Sequence, residues 1–465
     1  MNIEDLKNKR ITVMGLGLHG GGIGTVRFLS EAGAKVTVTD IKTKEELKSS
    51  LEKIKDLKNI SYVFGQHRPE NFTNTDMVIK TPPAPWSNKQ IKLALEKKIP
   101  VEIDSSLFFK LCKNPIIGIT GTKGKTTTAS LIYEILKLAG KNPVKVGIGQ
   151  TSVLDKLKYI KKDSVVVFEL SSWRLSALGR YKMSPQISVV TNIYPDHLNY
   201  YKSMQEYIAD KKHIFLYQKK GDSCVINNDS EEIKKFENEI KYQLIKFSKN
   251  KISEGKAVYL ENEAIYYNDG IDEKKVIDIK DIKLKGKHNL ENVMAAVAAA
   301  KAVGVKIEII KKAISEFSGV AHRLEIVRDL RGVKYINDSA ATTPEAAISA
   351  LNSFSEPVIL ICGGADKNLN MLEFGKEICT KVKGVVFLKG QATDKIISAM
   401  KKVDVCIDTE NLKIVESMDK AVELAKSVAQ EGDAVLLSPG AASFGLFLNE
   451  FDRGDKFKET VKKLK

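Results

Sequence analysis

The chain has 465 residues, 43% of them hydrophobic and 28% charged, and carries a net charge of +16. That length is too great for one hydrophobic core and predicts about three domains. No apolar run approaches the ~20 residues that span a bilayer, and the start at Met1 shows no basic-then-apolar leader, so a cytoplasmic protein without membrane insertion is expected.

Cys112, Cys224, Cys362, Cys379 and Cys406 are scattered singly, with no CxxC pair, and read as reduced thiols. The cations are nearly all lysine and spread along the chain. Grips on nucleic acid favour clustered arginine, so nucleic acid is not expected as a partner, while attraction of small anionic substrates is compatible.

In chain order, strands are predicted at 11–14 and 36–40, with a helix to about Glu31 between them. The turn after the first strand, Gly15 to Gly20, is a full G-x-G-x-x-G, and Asp40 ends the second strand twenty residues on. Such a turn presents a diphosphate to a helix N-terminus and places an acid near a ribose or base. Further strands are expected at 62–64, 77–79 and 100–103, and 81–86, rich in proline, reads as a rigid loop at a strand end. This first domain should span 1–113.

The second domain, 114–318, opens on a strand at 116–119. Glycines follow at 118, 121 and 124, then Lys125, Thr126, and a helix apolar at helical spacing that stops at Gly140. Strand, glycine-rich turn, Lys-Thr and helix make a phosphate cradle, with Lys125 reaching the β/γ-phosphates and Thr126 a magnesium ion. The strict pattern G-x-x-x-x-G-K-[ST] wants glycine at 119, where this chain has Ile119, with Gly118 one residue early. The apolar strand 165–169 ends in Glu169, placed to serve the same ion. A strand at 186–191 leads to the loop 192–197, and a helix from about 203 to 217 carries Lys211. Short strands and charged turns fill 223–285. Helices are expected at 293–302, with Asn289 as a natural cap, and at 307–317.

The third domain, 319–465, alternates strands (333–336, 358–362, 385–388, 403–406, 434–437) with helices at about 344–353, 370–382, 391–402 and 416–431. The whole is α/β: a Rossmann-like N-terminal domain, a central P-loop ATPase domain with a mainly parallel sheet, and a doubly wound Rossmann-like C-terminal domain.

The phosphate turn, Asn192 with Asp196-His197, Gly286 to Asn289 with Asn292, and His322-Arg323-Leu324-Glu325 together resemble the Mur ligases, ATP-dependent enzymes that add amino acids to the peptidoglycan precursor. Glu169-Leu170-Ser171-Ser172, Asn337-Asp338-Ser339 and Leu437 through Ser443 are similar to the branch that adds D-glutamate to UDP-N-acetylmuramoyl-L-alanine. The resemblance runs from about residue 11 to 455. It implies ATP and two Mg²⁺ as cofactors, a monomer, and an acyl-phosphate route to the amide bond.

It also implies roles by position. Gly121, Thr122, Lys123, Gly124, Lys125, Thr126 and Thr127 would hold ATP phosphates, with Asn289 at the adenine, Arg323 at the phosphates and Asp338 at the ribose. Thr126 and Glu169 would hold one metal. His197 would hold a second, supported by Lys211 as a carbamate, and Lys125, His197 and Lys211 are the catalytic candidates. Gly17, Leu18, His19, Gly20, Asp40, Ile41, Ser171 and Asn192 would meet the UDP substrate. Lys367 and Ser443, helped by Thr342, would grip the incoming amino acid. Because these positions fall in three domains, domain closure is expected.

The chain departs from the family pattern at Ala340, where lysine is frequent, at Arg174 for glutamine, at Pro83 in Thr81-Pro82-Pro83 for Ser-Pro-Gly, and at Glu450 for an aromatic. These bear on specificity more than on the ATP site. Three other readings stay open: another Mur branch or a folylpolyglutamate synthase-like ligase, a nicotinamide dehydrogenase resting on Gly15 to Gly20 alone, and a basic nucleotide-dependent nucleic-acid protein. His67 and His213 are expected to be structural.

Overall fold

A computed structural model describes residues 1–17, 20–148, 152–195, 200–284, 286–367, 369–403 and 412–465. The chain divides into two compact units, Met1–Phe317 and Ser318–Lys465, and the described residues form three sheets. No helix among the described residues is long and apolar enough to cross a membrane.

The first sheet is all parallel. Its strands are β1 (Arg10–Met14), β2 (Lys35–Asp40), β3 (Ile60–Phe64), β4 (Met77–Lys80) and β5 (Val101–Glu102), in the order β3-β2-β1-β4-β5. The order reverses between β1 and β4, so the turn after β1 and the loop after β4 flank the crevice where such sheets take ligands.

The second sheet has nine strands: β6 (Ile116–Thr120), β7 (Val144–Val146), β8 (Val166–Glu169), β9 (Ile187–Val190), β10 (Ser223–Asn227), β11 (Gln243–Ser248), β12 (Lys256–Glu261), β13 (Ala264–Asp269) and β14 (Glu273–Asp278). They lie in the order β14-β13-β12-β11-β10-β9-β6-β8-β7, parallel except at the β12-β13-β14 meander. β6, between β8 and β9, is buried along its length, as its unbroken apolar run requires.

The Ser318–Lys465 unit holds β15 (Glu325–Leu330), β16 (Val333–Asn337), β17 (Val358–Cys362), β18 (Val382–Leu388), β19 (Lys413–Val415) and β20 (Ala434–Leu437), ordered β15-β16-β20-β17-β18-β19. Only β15 is antiparallel. Side chains of β17 alternate between two cores: Leu360 and Cys362 meet the helices Leu372–Lys381 and Gln391–Met400, whereas Ile359 and Ile361 meet Met418–Val428 and Glu450–Lys463. The sheet is therefore covered on both faces, as doubly wound folds are.

Several elements depart from the sequence-based reading. The helix after Gly286 runs Lys287–Ala302, six residues earlier than expected. Gly286, at φ +107°, makes the entry turn, so Asn289 lies inside the first turn and does not cap it. The helix bearing Lys211 is Met204–Lys212. The expected strand at 403–406 falls largely outside the described residues. The helix Glu450–Lys463 was not anticipated, because its inner stripe is narrow and includes Arg453 and Gly454 beside Phe457 and Val461. Cys112, Cys224 and Cys362 are free thiols, but Cys379 is disulfide-bonded, which corrects the expectation of five reduced cysteines.

Candidate active site

β6 delivers the chain into a turn whose amides precede the helix Lys125–Leu138. Two glycines make the turn possible. Gly121 (φ +151°) passes so close to β9 that a Cβ would lie 1.9 Å from Thr191 Oγ1, and at Gly124 (φ +81°) a Cβ would lie 2.1 Å from Asn292 Oδ1. Gly118 has another task. It sits within β6, paired with Ser188 and Phe168, and a Cβ there would meet Pro185 Cγ at 2.6 Å. The early glycine of the pattern thus belongs to the strand, and the cradle starts at Thr120.

The contrast carries a prediction. Gly121→Ala should weaken ATP binding about tenfold or more, since strain and a backbone shift of 1–3 kcal/mol fall on the cradle. Gly118→Ala should lower the melting temperature and leave the KM for ATP unchanged. Thermal unfolding and ATP titration of the two variants check this.

The loop after β9 braces the turn. Thr122 N–H donates to Asn192 O (2.9 Å), Lys123 N–H to Asn192 Oδ1 (2.7 Å), and Asn192 Nδ2 to Lys123 O (3.1 Å). Thr191 Oγ1 also donates to Lys123 O, at 2.7 Å. Asn192, expected at the UDP substrate, is therefore engaged in shaping the phosphate turn. Lys125 Nζ donates to the carbonyls of Gly121 and Thr122, both at 2.9 Å. Thr126 Oγ1 donates to Glu169 Oε2 at 2.8 Å, which brings the two predicted metal ligands together at the ends of the helix N-terminus and β8. A hydroxyl and a carboxylate oxygen side by side suit a hard cation such as Mg²⁺.

Lys211 is 2% exposed, and its Nζ donates to Gly121 O (3.0 Å) and Thr120 Oγ1 (3.4 Å) while lying 4.6 Å from the Tyr207 ring centroid. It thus reaches the same turn from the far side. His197 lies outside the described residues. Asn289 accepts from Asn292 Nδ2 (3.0 Å), and Asn292 accepts from Thr128 Oγ1 (3.3 Å), linking the helix Lys287–Ala302 to the cradle. Thr127 lies in the first turn of the phosphate-loop helix.

In the first sheet, Gly20 is the left-handed cap of the helix Gly21–Glu31. Asp40 is buried. Its Oδ2 accepts from Leu16 N–H (2.9 Å) and Gly17 N–H (3.1 Å), and its Oδ1 from Lys42 N–H (3.0 Å). The acid therefore locks the glycine-rich turn to β2. Ile41 beside it is 69% exposed, and Leu18 and His19 lie outside the described residues. Ser171 caps the helix Ser172–Arg180 by accepting from Arg174 N–H (3.4 Å). Arg174 spans three segments, donating to Gly147 O (3.1 Å), Glu169 O (3.4 Å) and Asp104 Oδ2 (3.5 Å). His67, beside Thr39 and Phe72, and His213, packed on Gly179, are both held below the usual histidine pKa by burial.

In the Ser318–Lys465 unit Asp338, Thr342, Lys367 and Ser443 lie on loops after β16, β17 and β20, which are neighbours in the sheet, while Arg323 precedes β15. An antiparallel bridge between Ala365 and Ala442 sets the loop of Lys367 against that of Ser443, and Gly440 N–H donates to Ala341 O (2.9 Å), bringing Thr342 alongside. Ser443 is buried and Arg323 is exposed. Burial pulls the pKa of Lys367 down, with Glu450 opposing and Arg453 adding to the effect.

Asp338 accepts from Leu324 N–H (3.1 Å) and Ser438 Oγ (2.8 Å), and burial pushes its pKa up to about 7. An acid raised on folding favours the folded state at low pH. Its stabilisation falls away as pH rises from the unfolded carboxylate value, about 4, through about 7. Asp338→Asn should therefore gain melting temperature relative to wild type across that window and hold a constant difference above it. Thermal unfolding of the full chain from pH 4 to 8 checks it.

Comparison with known proteins agrees along the whole length. Residues 9–102 match the family described as Mur ligase MurD-like, N-terminal domain; residues 119–300 match the Mur ligase middle domain; residues 322–440 match the Mur ligase, glutamate ligase domain. The chain is 40% identical over 463 residues to a UDP-N-acetylmuramoylalanine–D-glutamate ligase of a Roseiflexus species, covering 98% of this chain and 99% of that one. It is 39% identical over 464 residues to the ligase of the same name from Clostridioides difficile, covering 99% and 100%. Among solved structures, UDP-N-acetylmuramate-alanine ligase from Thermotoga maritima superposes with a TM-score of 0.53 at 20% identity, covering 98% and 100% of the two chains. A Thermotoga maritima MurF ligase in complex with ADP superposes at 0.51 and 16% identity, covering 99% and 97%. The last two share the fold.

Proposed function

The chain belongs to the Mur ligase family, and on that premise we propose that it joins D-glutamate to UDP-N-acetylmuramoyl-L-alanine at the expense of ATP. The observation that carries the reading is the full-length likeness to the D-glutamate ligases, and it is supported by the cradle formed by Gly121, Gly124, Lys125, Thr126 and Glu169.

A carboxylate does not acylate an amine at neutral pH until one oxygen becomes a leaving group. The alanyl carboxylate attacks the γ-phosphorus of ATP, ADP departs, and an acyl phosphate forms. The D-glutamate amine then attacks the acyl carbon, loses a proton, and phosphate leaves. The turn amides and the Lys125 ammonium stabilise charge on the transferring phosphoryl group. Thr126 and Glu169 would hold Mg²⁺, which supplies further charge neutralisation when bound. Lys211, beside the Gly121 carbonyl, would support the same centre after reaction with CO₂, since a carbamate is an anion where the ammonium is a cation. Lys367 and Ser443, with Thr342, bind the carboxylates of the glutamate, a cation opposite anions.

The test is phosphate release from ATP with Mg²⁺ and UDP-N-acetylmuramoyl-L-alanine, scanning D-glutamate, L-glutamate, D-aspartate and meso-diaminopimelate. Release with D-glutamate alone is expected. Release with another amino acid would reassign the specificity, and release with none would overturn the choice of acceptor.

A further inference from the structure

Lys80 ends β4 and is 1% exposed, in a chain whose other lysines mostly face solvent. Its Nζ donates to the carbonyls of Ala84 (2.8 Å) and Pro82 (3.2 Å), with Thr81 O at 3.4 Å. The loop that it gathers runs over Pro82, Pro83 and Pro85, three residues with no backbone N–H. The loop has few donors of its own, Ala84 N–H serving Thr81 O (3.1 Å), and a buried carbonyl without a donor costs about 1–3 kcal/mol. An ammonium offers three donors at one point and fits that deficit.

The loop is also placed where it matters. Thr81 N–H donates to Met14 O (3.0 Å), and the Thr81 side chain packs against Gly15 so closely that a Cβ on that glycine would approach it to 3.2 Å. The loop thus forms one wall of the crevice between β1 and β4, opposite the glycine-rich turn. Its far end is tied to the central sheet's layer. Trp86 Nε1–H donates to Ser176 Oγ (3.0 Å), the Arg180 guanidinium lies 4.1 Å from the Trp86 ring centroid, and Lys80 Nζ lies 4.6 Å from it. Ser176 and Arg180 belong to the helix that Ser171 caps.

We propose that Lys80 is a positioning residue for the UDP-bearing substrate, setting the Thr81–Trp86 loop in the shape that closes the diphosphate crevice without touching the substrate itself. The inference rests on the function proposed above. Burial and the nearby Arg180 weigh against the charge of Lys80, drawing its pKa to about 8, while Asp104 and Asp210 support it. A charge kept at that site against burial is there for its donors.

The experiment compares Lys80→Met and Lys80→Arg in the full chain. Lys80→Met should raise the KM for UDP-N-acetylmuramoyl-L-alanine about tenfold or more, the equivalent of one lost buried hydrogen bond, with kcat and the KM for ATP within about twofold of wild type. Lys80→Arg should recover most of the affinity, since arginine also supplies several donors. An unchanged substrate KM in Lys80→Met, even with a lowered melting temperature, would overturn the proposal, as would an equal fall in kcat at saturating substrates. Calorimetric titration with UDP alone, without ATP, keeps the test separate from the turnover assay. If wild type binds UDP and Lys80→Met binds it as tightly, the positioning role fails whatever the reaction is. If wild type turns over none of the amino acids, the function fails while a weakened UDP affinity in Lys80→Met still supports the role of Lys80.

Discussion

Replacing Lys125 by alanine is expected to lower turnover by about a thousandfold while leaving the fold intact, since removal of one preorganised donor to developing charge costs about 10²–10³ and this one carries a full charge at the phosphoryl group. The ammonium is held by the Gly121 and Thr122 carbonyls at 2.9 Å each, so its direction is fixed before nucleotide arrives and little reorganisation remains for the reaction step. Gly121 O keeps Lys211 Nζ as a donor (3.0 Å) when Lys125 is removed, and the melting temperature should move by no more than a few degrees. Lys125→Arg should not rescue: a planar fork cannot sit between two carbonyls of one tight turn and still aim at a phosphate as a compact ammonium does. Single-turnover phosphate release at saturating ATP measures the effect, with thermal unfolding as the control. A kcat within tenfold of wild type would remove Lys125 from the chemistry.

The phosphate cradle was legible because its mechanism dictates its sequence. A buried strand reads as unbroken Ile116 to Ile119, a tight turn needs Gly121 and Gly124, and charge needs Lys125. What the pattern could not convey was which neighbour makes each glycine necessary. Gly118 and Gly121 look alike in the sequence, yet one is small because Pro185 packs on a strand and the other because Thr191 crosses a turn. Asp40 and Asn192 show the converse. Both were singled out as substrate residues, and both have their side-chain atoms on backbone groups of the turns they follow. A polar side chain at a strand end can serve a ligand or the loop that receives one, and spacing does not distinguish the two. Lys80 and Arg453 left the faintest signal. A single cation in a lysine-rich chain is read as surface, and only three dimensions reveal that the carbonyls of one loop converge on Lys80 and those of two loops on Arg453. The short edge strand β7 and the polar β15 escaped for a related reason: edge strands need little apolar patterning.

Arg453→Ala should destabilise the Ser318–Lys465 unit by about 3–5 kcal/mol, the range for emptying a large buried side chain and stranding its partners. Arg453 is fully buried on the helix Glu450–Lys463. Its Nε donates to Ser339 Oγ (3.0 Å), one terminal nitrogen to Ser339 O (2.9 Å), and the other to Ala441 O (3.2 Å). Ser339 Oγ in turn donates to the carbonyl of Glu450 (2.7 Å). One guanidinium thus joins the turn after β16 to the loop after β20, the loop that carries Ser443. Glu450 is the acid whose charge offsets the burial of Arg453 and of Lys367. The position where the family often has an aromatic therefore holds, in this chain, the counter-charge for two cations at the proposed amino-acid site. Two variants separate stability from binding. Arg453→Lys keeps the charge but cannot bridge Ser339 and Ala441 together, so it should fold with a lower urea midpoint and a raised KM for D-glutamate. Glu450→Gln should lower the midpoint by less than Arg453→Lys does, since Arg453 loses a counter-charge but keeps its hydrogen bonds, and should lower the KM for D-glutamate, because Lys367 then has one anion fewer to share itself with. A wild-type midpoint in Arg453→Ala would show that the bridge is dispensable, and a raised KM in Glu450→Gln would mean that the acid orders Lys367 rather than competing for it.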